Sequence, residues 1–141
     1  MENQASTQEY NQAILRYNWE NLVFLVAEDI EMNYLFLNEA LKKTGVKVLW
    51  AVNGLQAVEI VQTSEKIDMV ITDIQMPEMD GFAATHQITQ MNPNIPVIGY
   101  TAYSYEGVRD KMILAGAKEC LIKPFEPKKL LLTIRKYLFI S

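Results

Sequence analysis

Five short apolar runs alternate with five stretches of helical spacing between Leu22 and Leu138, and that alternation leaves few folds open. The runs are 22–27 (Leu22-Val23-Phe24-Leu25-Val26-Ala27), 46–51, 68–72, 95–100 and 118–122. Each is nearly continuous in apolar residues, as a strand is when helices cover both faces of its sheet. Helices are expected at about 30–43, 55–64, 81–90, 105–115 and 127–138, the first carrying Tyr34, Leu35, Leu37 and Leu41 on one side. Thr44-Gly45, Asn53-Gly54 and Asn92-Pro93-Asn94 punctuate the pattern. Strand–helix alternation of this kind means parallel βαβ units with right-handed crossovers. The expected fold is α/β, a doubly wound five-stranded parallel sheet with helices on both faces.

The 141 residues suit one domain with a sizeable core, and half of them are hydrophobic. Residues 1–20 read as a linker or tail rich in Asn, Gln and Glu, and the domain proper as 21–139. Within the tail, Tyr10, Ala13, Ile14 and Tyr17 recur at the spacing of a short amphipathic helix. A net charge of −4 with a pI near 5.0 gives no basic patch, so no nucleic-acid partner is expected. No run approaches the roughly 20 apolar residues of a membrane span, and no signal peptide stands out. Direct membrane insertion is therefore not expected. Cys120 is the only cysteine, which excludes an internal disulfide and fits a reducing, cytoplasmic compartment.

Four of the runs are followed by polar residues with chemistry: Glu28 and Asp29, Asp73, Thr101, and Lys123. In a parallel α/β sheet, strand C-terminal ends converge on one crevice where ligands bind. Three carboxylates, a hydroxyl and an ammonium there make a cation-and-phosphoryl site. Clustered carboxylates repel without a cation, and hard oxygen donors suit Mg²⁺. No zinc set exists, because His86 and Cys120 are each unique. Each residue also has a plainer reading. Asp29 could cap the first helix, Thr101 the fourth, and Lys123 could pair with Asp73 or lie over the sheet edge. Pro77 restricts the loop after Asp73, and Gly81 is expected to supply an unusual dihedral there. A cis Lys123–Pro124 bond is a further expectation.

Taken in order, Glu28-Asp29, Asp73-Ile74-Gln75-Met76-Pro77-Glu78-Met79-Asp80-Gly81, Thr101-Ala102 and Lys123-Pro124-Phe125 resemble the receiver domain of two-component response regulators over about residues 21 to 139. The resemblance implies a flavodoxin-like sheet of order 2-1-3-4-5. It implies that Asp73 accepts a phosphoryl group from the phosphohistidine of a histidine kinase or histidine phosphotransfer domain, with Lys123 and Thr101 at the phosphoryl. Glu28, Asp29, Asp73 and the backbone carbonyl of Gln75 would hold Mg²⁺. Such a domain catalyses its own phosphorylation and dephosphorylation, yet acts mainly as a switch. Its moving surface would be helix four, strand five and helix five, the face through which receivers often form homodimers.

One position departs from the family pattern. An aromatic residue usually stands three places before the strand-five lysine, and here that place holds Cys120. Tyr100, Tyr103 and Tyr105 near Thr101 are candidates to substitute for it. The stretch from Trp19 to Glu31, followed by Asn33, is similar to receivers fused behind the catalytic core of hybrid sensor histidine kinases, some of them membrane-bound. Residues 1–20 would then be the linker from such a core, and no DNA-binding domain is expected after the fifth helix. A free-standing single-domain regulator is the alternative. His86 is not expected to be a phosphodonor. Haloacid dehalogenase phosphatases resemble Asp-x-Asp at the nucleophile, and Gln75 stands at the second position. A flavodoxin-type nucleotide site needs a phosphate-cradling loop after strand one, where Glu28-Asp29-Ile30-Glu31 would repel phosphate.

Overall fold

The structure, a computed structural model, describes residues 17–138. Strands β1 (Val23–Ala27), β2 (Lys47–Ala51), β3 (Met69–Asp73), β4 (Val97–Thr101) and β5 (Glu119–Ile122) form one parallel sheet. Its order is β2-β1-β3-β4-β5. The intervening helices are α1 (Glu31–Lys42), α2 (Gly54–Thr63), α3 (Gly81–Met91), α4 (Val108–Ala115) and α5 (Pro127–Leu138). Winding reverses between β1 and β3, and the crevice at that switch point lies outside the strands' carboxyl ends.

Side chains alternate across the sheet, so each strand feeds two cores. Phe24 and Val26 join Leu37 and Leu41 of α1 and Leu130, Leu131 and Ile134 of α5. Leu25 and Ala27 join Ala57 and Val58 of α2, Ala84 and Ile88 of α3, and Val108 and Met112 of α4. Both faces of the central strands β1, β3 and β4 are therefore largely dry, which is why those runs carry no polar alternation, while the edge strand β2 is partly exposed. Among the described residues, no helix is long and apolar enough to cross a membrane.

Three boundaries differ from the sequence reading in ways that matter. β3 and β4 run one residue further than expected, so Asp73 and Thr101 are the last residues of their strands. Backbone pairing holds both: Asp73 stands opposite Tyr100, and Thr101 opposite Ile122. α4 begins at Val108 instead of near 105, because Gly107 precedes it with φ 89, a conformation that cannot extend a right-handed helix backwards.

The packed core also reaches upstream of residue 21. Trp19 is buried, stacks on Tyr17 at 5.1 Å with an 11° interplanar angle, and tilts against Phe24 at 5.5 Å. Its backbone N–H donates to the Thr44 carbonyl at 2.8 Å, which ties the segment to the end of α1. The helix expected around Tyr10, Ala13 and Ile14 lies outside the described residues. Truncating Trp19 to alanine should lower stability by about 3 kcal/mol, read as a shift in the urea midpoint at unchanged slope. A loss near zero would show that residues 17–19 lean on the fold without supporting it.

Candidate functional site

β1 and β3 are adjacent and in register, with Ala27 opposite Thr72, so the next residues along, Glu28 and Asp73, emerge at one level. One carboxylate oxygen from each of Glu28, Asp29 and Asp73 lies within 4.8 Å of the others. Glu28 is completely buried, Asp73 nearly so, and Asp29 is exposed. Asp29 does not cap α1. The N-cap position is Ile30, which makes no side-chain cap bond, and the Ile30 N–H is instead satisfied by Glu28 Oε2 at 3.1 Å.

The loop after Asp73 folds tightly back on the strand. The Gln75 N–H donates to Asp73 Oδ1 at 3.3 Å, and the Gly81 N–H donates to the Ile74 carbonyl at 2.7 Å. Asp80 caps α3 by accepting from the Ala83 N–H at 2.9 Å. Gly81 is needed for closeness and not for its dihedral: a Cβ there would strike the Asp73 carbonyl oxygen and the Ile74 Cα. The left-handed residue of this loop is Glu78, with φ 68. The expectation that Gly81 supplies the unusual dihedral is thus corrected, because the strain falls within the turn and the glycine at its seam with the strand.

Lys123 ends β5's approach to the crevice, and its bond to Pro124 is cis. Its Nζ lies 3.9 Å from Glu28 Oε1 and 4.8 Å from the centre of the Tyr100 ring. The acid it pairs with is Glu28 and not Asp73, since Glu28 is the fully buried charge and has the greater need of compensation. Thr101 is buried, and its Oγ1 accepts from the Tyr103 N–H at 3.1 Å. It does not cap α4, which starts seven residues later. Asp29, Gln75, Thr101 and Tyr105 line a cleft of about 440 Å³.

Two partners of Glu28 escaped the sequence reading. The Tyr100 hydroxyl donates to Glu28 Oε1 at 2.6 Å, and the Trp50 indole N–H donates to the Glu28 carbonyl at 2.7 Å. Trp50 in turn stacks on Tyr34 at 4.2 Å. The signal for Tyr100 was present in the pattern. Strand alternation puts it on the same sheet face as Ile98 and Phe24, which is also the face of Glu28. Of the tyrosines considered as substitutes for the family aromatic, Tyr100 is thereby committed, while Tyr103 and Tyr105 are exposed. Cys120 is buried in the second core layer, and burial pushes its thiol up to about 11.

Electrostatics follow from burial. Desolvation, then the charge of Glu28, raises the Asp73 carboxyl from its ordinary 3.8 to about 6, against the opposing pull of the Gln75 N–H, Lys123 and the Ile74 N–H. Burial, then Glu28, likewise holds the Tyr100 phenol protonated far above its usual range. The trio and Lys123 together leave two negative charges uncompensated, which is the charge of one divalent cation, and an all-oxygen set of this kind fits Mg²⁺.

The model of the response regulator receiver domain family matches residues 24–135. The chain belongs to this family. Curated relatives include the transcriptional regulatory protein ZraR of Klebsiella oxytoca, 40% identical over 120 residues, which are 84% of this chain and 27% of that protein. The sensor protein EvgS of Escherichia coli strain K12 is 37% identical over 105 residues, 74% of this chain and 9% of that protein. The chemotaxis protein CheY of Thermotoga maritima is 34% identical over 113 residues, 79% of this chain and 93% of that protein. The chain therefore spans only a small part of the first two relatives. Among solved structures, the receiver domain of the sensor histidine kinase PA1611 from Pseudomonas aeruginosa PAO1 holds a magnesium ion in its active-site cleft. It is 27% identical with a TM-score of 0.76, covering 83% of this chain and 97% of its own.

The raised Asp73 carboxyl has a signed consequence. The native state keeps a proton that the unfolded chain has already lost, so folding is favoured at low pH and loses stability as pH rises from about 4 to about 6. In chelator-treated protein, Asp73→Asn should raise the Tm at pH 7.5, with the gain shrinking towards nothing near pH 4. Thermal melts at the two pH values test this, and equal gains at both would refute it.

Proposed function

We propose that Asp73 is a phosphoacceptor. An Asp73 carboxylate oxygen attacks the phosphorus of a partner's phosphohistidine. The new O–P bond forms as the N–P bond breaks, and the freed imidazole nitrogen leaves. The single observation that carries this reading is the convergence of Glu28, Asp29 and Asp73 within 4.8 Å, beside Lys123, at the carboxyl edge of the sheet. With its carboxyl near 6, Asp73 is ionised and nucleophilic at neutral pH.

The roles then distribute by geometry. Glu28, Asp29, Asp73 and the Gln75 backbone carbonyl would hold Mg²⁺, in line with the ion in the PA1611 receiver. When bound, that ion supplies positive charge against the phosphoryl oxygens. The Lys123 ammonium adds a second positive charge from the β5 side. The Thr101 hydroxyl turns from its local bond with Tyr103 towards a phosphoryl oxygen. A phosphoryl group brings about −1.5 to −2 charge and strong acceptor oxygens, so it biases an existing two-state equilibrium. The responding surface is α4, β5 and α5, which is also the face for a homodimer. The functional unit is residues 21–139 together with Tyr17 and Trp19 packed against them, reading signals in the cytoplasm through protein partners and not nucleic acid.

Similarity to EvgS and to the PA1611 receiver supports a module of a hybrid sensor kinase, taking its phosphoryl from a kinase or histidine phosphotransfer domain. The match to nearly the whole of a CheY supports a free-standing regulator. The reading frame upstream of Met1 separates the two.

Incubated with Mg²⁺ and acetyl phosphate, the protein should gain one acid-labile phosphoryl group by intact mass. Asp73→Asn should abolish the gain, and Lys123→Ala should slow it about 100-fold. Undiminished labelling of the Asp73→Asn protein would overturn the assignment.

A further inference from the structure

Tyr100 reaches across the sheet. β4 and β1 flank β3, so the backbones of Tyr100 and Glu28 are two strand spacings apart, about 10 Å. A tyrosine spans that gap with a hydrogen bond at its end, and an aliphatic residue at this place would stop over β3. The ring passes beside Asp73, its cross-strand neighbour, and is completely buried. It also packs edge-on against Phe125 at 6.3 Å, which fixes its direction.

The bond at its tip orders an acid that has few other options. Glu28 Oε2 is occupied by the Ile30 N–H at 3.1 Å, and Oε1 by the Tyr100 hydroxyl at 2.6 Å. Each oxygen keeps a free lone pair, and their directions are set by these two donors. Lys123 stands back at 3.9 Å, over the tyrosine ring. Without the hydroxyl, Oε1 would keep only its long contact with Lys123, and the lysine would close on it to a tight ion pair. That would turn the carboxylate away from Asp29 and Asp73, and would draw the ammonium out of the crevice.

We infer that Tyr100 is a positioning residue for the cation site: its hydroxyl holds the Glu28 carboxylate in the orientation that faces Asp29 and Asp73, and keeps its pairing with Lys123 long. This rests on the receiver reading of the site and adds a residue to it. Partners that orient metal-binding side chains are typically worth 10–100-fold in affinity.

The test is calorimetric titration of Mg²⁺ into chelator-treated protein. Tyr100→Phe keeps the ring and removes only the hydroxyl. It should raise the Mg²⁺ dissociation constant about 10-fold. In a Glu28→Gln background, where the carboxylate is already gone, the same change should alter the constant less than about twofold. A purely structural role for Tyr100 would instead give the same loss in both backgrounds, and that result overturns the inference. So does a Tyr100→Phe protein that binds Mg²⁺ as the parent does. A parent that binds Mg²⁺ but gains no phosphoryl from acetyl phosphate would refute phosphoacceptance while leaving the calorimetric comparison decisive for Tyr100. A parent that binds no Mg²⁺ would overturn both.

Discussion

Glu28 bears its carboxylate with no contact to solvent, and the rest of the crevice is arranged around that fact. A buried carboxylate is tolerated only when donors or a cation replace its lost water. Here the replacement is shared among a backbone N–H, a phenol and a lysine held slightly off. The same burial reaches the neighbouring acid. Glu28 is the second cause, after desolvation, of the raised proton affinity of Asp73. The site is thus electrostatically tense before any ligand arrives, and a divalent cation is the simplest way to relax it.

The fold delivers these groups by register and not by loop flexibility. Asp73 and Thr101 are strand residues with paired backbones, and Glu28 follows directly on a strand. The turn after Asp73 is irregular but pinned at both ends by the Gln75 and Gly81 N–H groups, and Asp29 and Lys123 stand in short bends just past β1 and β5. Rigid placement is what nucleophilic attack on a transferring group requires. The contrasting part is residues 102–107, which lie exposed between β4 and α4 with Tyr103 and Tyr105 projecting.

Much of this was legible in the sequence because the signals were local. The apolar runs gave the strands, their alternation with helices gave the parallel arrangement, and the strand order came from the resemblance to receiver domains. The carboxylates announced themselves by standing at run ends. What was missed depended on distance across the sheet. Tyr100 reads as one more residue of a strand until β1 and β4 are known to flank β3, and Trp50 reads as an edge residue until its indole finds the Glu28 carbonyl. The start of α4 was misplaced because the residues before Gly107 have acceptable helical propensity, and only the backbone conformation of the glycine rules it out. Trp19 looked like tail because its partners, Thr44 and Phe24, are separated from it by chain or by strand geometry.

The indole of Trp50 has one more implication. Its N–H is bonded to the main chain of Glu28, and its ring is sandwiched on Tyr34 at the first turn of α1. Emission from such a ring depends on the local field and on the loss of excitation to nearby groups. Trp50 therefore stands as a built-in optical reporter beside the Glu28 main chain, whereas Trp19 is sealed in the core away from the crevice.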